Sequence, residues 1–138
     1  MKVRMAKIAK EELGNCIKHQ VWGSNDDKNL KKWQIGDKLI IYIYTTDGTR
    51  KLAALAEISG GVYMDDLPVW GNGVFPFRLP LKFIYTLQEK NMIPFTDEIV
   101  GILRKEWGQS YGWAILAKHP LGQKTAEKLI QMIANKAE

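Results

Sequence analysis

With 138 residues, 46% of them apolar and 25% charged, the chain has the size and balance of one soluble globular domain that buries a core without metals or disulfides. Twenty Lys and Arg against fifteen Asp and Glu give a formal charge of +5, which suits a polyanionic partner without defining one: apart from Lys28, Lys31, Lys32 and Lys38, the charges are scattered. The single Cys16 excludes an intramolecular disulfide and a cysteine-rich zinc site, no apolar run reaches membrane-spanning length, and Met1 to Ala6 lacks a signal-peptide core, so a cytoplasmic protein without membrane contact is expected.

Val3 to Ala9 alternates apolar and basic residues and reads as a half-buried first strand. Lys10 to Lys18 carries Leu13, Cys16 and Ile17 at helical spacing, with Glu11 and Glu12 at the positive end. Cys16 falls on the apolar face, where burial is expected. Next comes His19-Gln20-Val21-Trp22-Gly23-Ser24-Asn25, which reads as a loop: Gly23, Ser24 and Asn25 supply turn chemistry, and the Trp22 indole beside them is placed to meet a flat guest. Lys28 to Trp33 forms one helical turn with Leu30 and Trp33 inward, and Gly36-Asp37 opens a strand from Lys38 to Tyr44. Asp47-Gly48 is a hairpin signal joining that strand to an antiparallel partner, Lys51 to Ile58.

Gly60-Gly61 then opens a long irregular loop, Val62 to Gly73, containing Tyr63, Asp65, Asp66, Pro68 and Trp70. Val74 to Leu87 is interrupted by Pro76 and Pro80 and reads as a bent or edge strand. Thr96 is placed to cap a helix from Asp97 to Trp107 that Gly108 ends. Trp113 to Ala117 reads as a last strand, and Gln123 to Lys136 as a terminal helix with Ala126, Leu129, Ile130 and Ile133 inward. The sum is a small mixed α+β barrel forming one domain, residues 1–138.

Chemistry has few candidates. His19 and His119 have no partner at metal-ligand spacing, Asp65-Asp66 in a loop reads as a solvated pair, and the glycines at 60, 61, 71 and 73 fit no phosphate-loop template. No catalytic residue, metal or cofactor is expected. Trp33, Trp107 and Trp113 lie in or beside apolar patterns and are assigned to the core. On the residues alone, Trp22 reads as a ring folded back over the barrel mouth, and Trp70 is evenly balanced between packing and binding.

Taken in order, Val21-Trp22-Gly23, Lys28-Asn29-Leu30, Gly36-Asp37, Ala56-Glu57-Ile58, Phe75-Pro76-Phe77-Arg78, Ile93-Pro94-Phe95 and Tyr111-Gly112 span most of the chain, and with them it resembles the EVE domain. EVE domains belong to the PUA-like superfamily and are related to YTH domains. No one of these motifs is specific; their order and spacing carry the resemblance. It implies a PUA-like small curved β-barrel of about five or six strands flanked by helices. It also implies a non-enzymatic domain that binds a modified, methylated base in RNA or in single-stranded or base-flipped DNA.

Under that resemblance Trp22 and Trp70 form the two walls of an aromatic pocket. Gly23, Ser24, Asn25 and Asn29 lie where the base edge is read, and Lys28, Lys31, Lys32 and Arg78 hold phosphates. Two other classes compete. A small-molecule or nucleotide-processing enzyme on the same barrel would place Glu57 or Asp66 with a lysine inside the cavity. A protein-interaction module would use its exposed aromatics against a partner. The oligomeric state is left open by the sequence.

Overall fold

Strands form where branched and aromatic residues cluster between turns, and a computed structural model, describing residues 1–28 and 30–137, gathers them into a seven-stranded sheet. The strands are β1 (Val3–Ala9), β2 (Val21–Ser24), β3 (Lys38–Tyr44), β4 (Arg50–Ile58), β5 (Tyr63–Met64), β6 (Phe77–Thr86) and β7 (Ile93–Pro94). The helices are α1 (Leu13–His19), α2 (Asp97–Trp107), α3 (Tyr111–Leu116) and α4 (Gln123–Ala137). The main strand order is β1-β3-β4-β6-β2, with β5 on β6 and β7 on β4; β1 runs parallel to β3 and the other pairs are antiparallel. This is the expected α+β architecture, a curled half-barrel flanked by helices.

The period of two in β3 sorts the core. Leu39, Ile41 and Ile43 pack inside the curl with Trp33, Ala54 and Leu81, while Ile40 and Tyr42 turn to the other face, under Ile99, Leu103, Leu129 and Ile133 of the helices. A strand covered on both faces reads as the near-continuous apolar run seen from Leu39 to Ile43. At its start Gly36 takes a positive φ of 94°, which glycine adopts freely. The carboxylate of Asp37, 3% exposed, accepts the N–H groups of Lys2 and Gln34 and Nη1 of Arg4, each at 3.0 Å. Gly36-Asp37 is therefore the clasp between β1 and β3.

β6 changes partner along its length. Leu81 to Thr86 pairs with β4, whereas Phe77 to Pro80 pairs with β2. Pro80 stands at the switch, has no N–H to donate, and accepts the Ser59 N–H at 3.0 Å. The bend expected from the prolines is present; Leu81 to Thr86 pairs with β4 alone, as an edge would, but Phe77 and Arg78 lie between β2 and β5, so β6 is not an end of the strand path. The two ends of the main strand path are instead β1 and β2.

Two expectations are corrected. Trp113 to Ala117 is not a strand but belongs to α3: Tyr111, Ala114 and Ile115 are buried at helical i, i+3, i+4 spacing, and the Ser110 carbonyl accepts the N–H groups of Trp113 and Ala114 at 3.0 and 3.3 Å. Trp113 consequently faces outward and is 66% exposed rather than in the core. The segment around Trp22 is not a loop either; Val21–Ser24 is β2, held by its register with Phe77–Pro80.

Candidate functional site

The strand order leaves β1 and β2 facing each other across a cleft. Lys7, Ile8 and Ala9 line it from β1, Trp22 and Gly23 from β2, and Trp70, Asn72 and Phe75 from the long loop, around a volume of about 170 Å³. Trp22 lies in β2 opposite Leu79 and is 8% exposed, so its ring is part of the inner core rather than an open platform. Beneath it the Cys16 Sγ donates to the Val21 carbonyl at 2.8 Å, tying α1 to the start of β2. Burial pushes the Cys16 thiol up to about 12, against a smaller opposing pull from the Trp70 indole, so it is an uncharged packing group.

Trp70, also 8% exposed, is positioned by three neighbours. Its ring meets Phe75 edge to face at 5.6 Å and 89°, and the Arg78 guanidinium lies 5.3 Å from its centroid. The buried Glu12 carboxylate accepts the Gly71 N–H through both oxygens, at 3.1 and 3.0 Å, and the Asn15 amide at 2.8 Å, fastening the loop to the segment before α1. Gly23 provides the space: a Cβ built there would stand 2.4 Å from Cη2 of Trp70 and 2.8 Å from Cβ of Phe75. Gly23→Ala is therefore expected to displace the Trp70 ring and cost about 1–3 kcal/mol, the range for overpacking a filled site. Urea unfolding followed by tryptophan fluorescence measures this, and an unchanged midpoint would show that Trp70 yields freely.

The other expected site residues are placed less uniformly. Ser24 is half-buried and its Oγ accepts the Asp26 N–H at 3.4 Å; with the exposed Asn25 it lines an adjoining hollow of about 310 Å³ that Trp22, Gly23 and Phe75 share. Lys28 is exposed, with its backbone N–H on Asp26 at 3.1 Å, and Lys31 pairs with Asp27 at 2.9 Å. Lys28, Lys31 and Lys32 line neither the cleft nor the hollow. Asn29 lies outside the described residues.

Arg78 departs from its expected place. It is 2% exposed and turned inward, donating to the carbonyls of Leu67, Val74 (3.1 Å) and Phe75 (3.3 Å), with Asp65 at 3.6 Å. A guanidinium whose donors are met by loop carbonyls organises the loop and is not presented to a phosphate in solution. Asp65 thus helps to order the loop, as a residue of the pair Asp65-Asp66. Glu57 and Asp66, the acids an enzyme reading would need, do not line the cleft. Among the described residues no three His, Cys, Asp or Glu side chains gather as metal ligands would, and no helix is long and apolar enough to cross a membrane.

Lys118 escaped the sequence reading. It follows α3 with a positive φ of 59°, lines the hollow beside Trp22, and holds its Nζ 5.8 Å from the Trp22 ring centroid. Burial pulls its amine down to about 8, and the charge of Lys7 pushes the same way. Nothing in the sequence motif marks it, because its place depends on α3 being a helix. Lys7 had a weak signal, the outward basic position in the β1 alternation.

The chain matches no protein-family model, and no curated protein matches it in sequence. Solved structures share its fold. A crystal structure of the Mmi1 YTH domain in complex with RNA has a TM-score of 0.66 at 14% identity, covering 97% of this chain and 79% of that one. The Pho92 YTH domain in complex with m6A gives 0.59 at 13% identity, over 96% and 82%. Rpa0253 from Rhodopseudomonas palustris, solved by NMR, gives 0.61 at 16%, over 98% and 94%. The fold is that of YTH domains.

Proposed function

We propose that the chain is a nucleic-acid-binding domain of the EVE and YTH kind, which takes one modified base from a single strand into the cleft bordered by Trp22 and Trp70. The observation that carries this reading is the convergence of two tryptophans, one from β2 and one from a loop far along the chain, on one space at the open side of the sheet. At about 170 Å³ the cleft is smaller than the roughly 300–1,000 Å³ of drug-sized pockets, which suits a nucleobase rather than a whole nucleotide. The shared fold of the Mmi1 and Pho92 domains, solved with RNA and with m6A, favours RNA as the partner.

The energetics are consistent with such a role. Each aromatic on which a base stacks contributes about 1–3 kcal/mol, replacing stacking lost from the strand. A methyl group buried against aromatic and apolar walls adds about 0.8 kcal/mol, enough to prefer a modified base over its parent by several-fold. Ser24 and Asn25, which line the adjoining hollow that has Trp22 and Gly23 in common with the cleft, are the side chains that would read the base edge.

Titration of short oligonucleotides bearing N6-methyladenine, 5-methylcytosine or hydroxymethylcytosine against their unmodified counterparts tests this. One modified form is expected to bind better than its parent, and Trp22→Ala to remove that binding by about 1–3 kcal/mol. Because Trp22 is buried, truncation also costs about 3–5 kcal/mol of stability, so binding is read well below each variant's unfolding temperature and beside Trp22→Phe, which keeps a ring. Equal binding of every modified and unmodified pair, or a folded Trp22→Ala that binds as well as the parent protein, overturns the reading.

A further inference from the structure

A cleft that holds a base leaves the sugar, the phosphates and the next nucleotide of the strand on the surface at its mouth. Two residues of the cleft, Lys7 and Tyr44, also line a neighbouring groove of about 440 Å³, with Tyr42, Thr45, Arg50 and Leu116 among its other walls. Among the described residues no carboxylate lines that groove. The sheet fixes its members in place: Lys7 stands opposite Tyr42 in the β1–β3 ladder, and Tyr44 stands opposite Arg50 in the β3–β4 ladder.

Each member has a distinct state. Tyr44 is 37% exposed, with the Lys7 ammonium 5.4 Å from its ring centroid. Arg50 is half-buried and held by aromatic neighbours, its Nη2 donating to the Tyr111 hydroxyl at 3.2 Å and its guanidinium 4.9 Å from the Phe95 centroid. Neither Lys7 nor Arg50 has an ion-pair partner among the described residues. Two cations without acids beside an exposed ring match the alternation of phosphate and base along a single strand. A peptide of Asp and Glu alone would meet the cations but brings no aromatic plane to stack on the ring.

We propose that this groove seats the nucleotide adjacent to the one held in the cleft, with its base stacked on Tyr44 and its phosphate taken by Lys7 and Arg50. The assignment rests on the base-binding reading above and extends it from one nucleotide to two. Tyr44 then sets how much a flanking base adds to affinity, and Arg50, whose fork is already oriented, supplies a planar contact that a free lysine does not.

The experiment compares three probes by competition binding: N6-methyladenosine, a trinucleotide with N6-methyladenine between two uridines, and the same trinucleotide with abasic flanks. The uridine-flanked probe is expected to bind roughly tenfold tighter than the abasic one. This ratio should fall to near unity in Tyr44→Ala and persist in Tyr44→Phe; taken within each variant, it is free of any effect of Tyr44 on the cleft itself. Arg50→Gln is expected to lower the slope of log affinity against log salt by about 0.7. Equal binding of the two trinucleotides, a flanking advantage that survives Tyr44→Ala, or a polyglutamate peptide that competes as well as the trinucleotide overturns the groove assignment and leaves the base cleft standing. Failure of all three probes to bind, repeated with 5-methylcytosine and with hydroxymethylcytosine in place of N6-methyladenine, overturns the base-binding reading, and the groove falls with it.

Discussion

Arg78→Ala is expected to destabilise the fold by about 3 kcal/mol, the lower end of the range for removing one partner of a buried charge pair, because Asp65 keeps some contact with water. The substitution strips the donors from the carbonyls of Leu67, Val74 and Phe75 and removes the cation packed against Trp70. Each buried acceptor left unmet costs about 1–3 kcal/mol in its own right, so the loop is expected to open rather than keep its shape. Base binding should weaken with it, through displacement of Trp70. Arg78→Lys keeps the charge but not the fork, and is expected to recover less than half of the loss. Urea unfolding and the salt dependence of binding separate this role from direct phosphate contact. A phosphate ligand would leave the urea midpoint unchanged and reduce the salt slope, whereas the buried arrangement requires the midpoint to fall.

The second large effect lies at the clasp between β1 and β3. Asp37→Ala leaves the Arg4 guanidinium buried without its carboxylate and removes the acceptor for Lys2 and Gln34, for an expected cost of about 3–5 kcal/mol. Burial alone would raise the Asp37 carboxyl, but the N–H groups of Lys2 and Gln34 together with Arg4 outweigh it and hold the group below the ordinary carboxylate range. A carboxyl lowered by folding stabilises the native state fully above its unfolded value, about 4, and loses that contribution as the pH falls through the lower folded value. Urea midpoints of the parent protein and Asp37→Asn, compared at pH 7 and at about pH 3, should therefore draw closer in acid. An unchanged gap would place the acid sensitivity elsewhere.

Some of this was legible in the chain. Val3 to Ala9, Lys38 to Tyr44, the Asp47-Gly48 hairpin and the helix from Asp97 to Trp107 each announce themselves through several agreeing local signals, and each forms at or within a residue of its expected span. Trp113 to Ala117 carried a single signal, a short apolar run, which strand and helix share; the buried positions Tyr111, Ala114 and Ile115 settle it only once neighbours are present. Gly23, Ser24 and Asn25 favour turns and so point to a loop around Trp22, yet strand pairing with Phe77 to Pro80, more than fifty residues away, overrides local preference. That Trp22 and Trp70 border one cleft was suggested by a resemblance, not by spacing. The inward turn of Arg78 has no sequence signature, since an arginine after Phe75-Pro76-Phe77 reads equally well as a surface cation. What it bonds to are backbone carbonyls, whose positions exist only in the folded loop.

The end strands of the sheet bear on how such a domain can change. β1 and β2 leave room for a guest because no ladder joins them, and unpaired strand edges are also a liability for stability and self-association. Hydrogen bonds across that opening would seal the barrel and raise its melting temperature while erasing the space between them. Under the base-binding reading proposed above, robustness and binding therefore pull this one boundary in opposite directions.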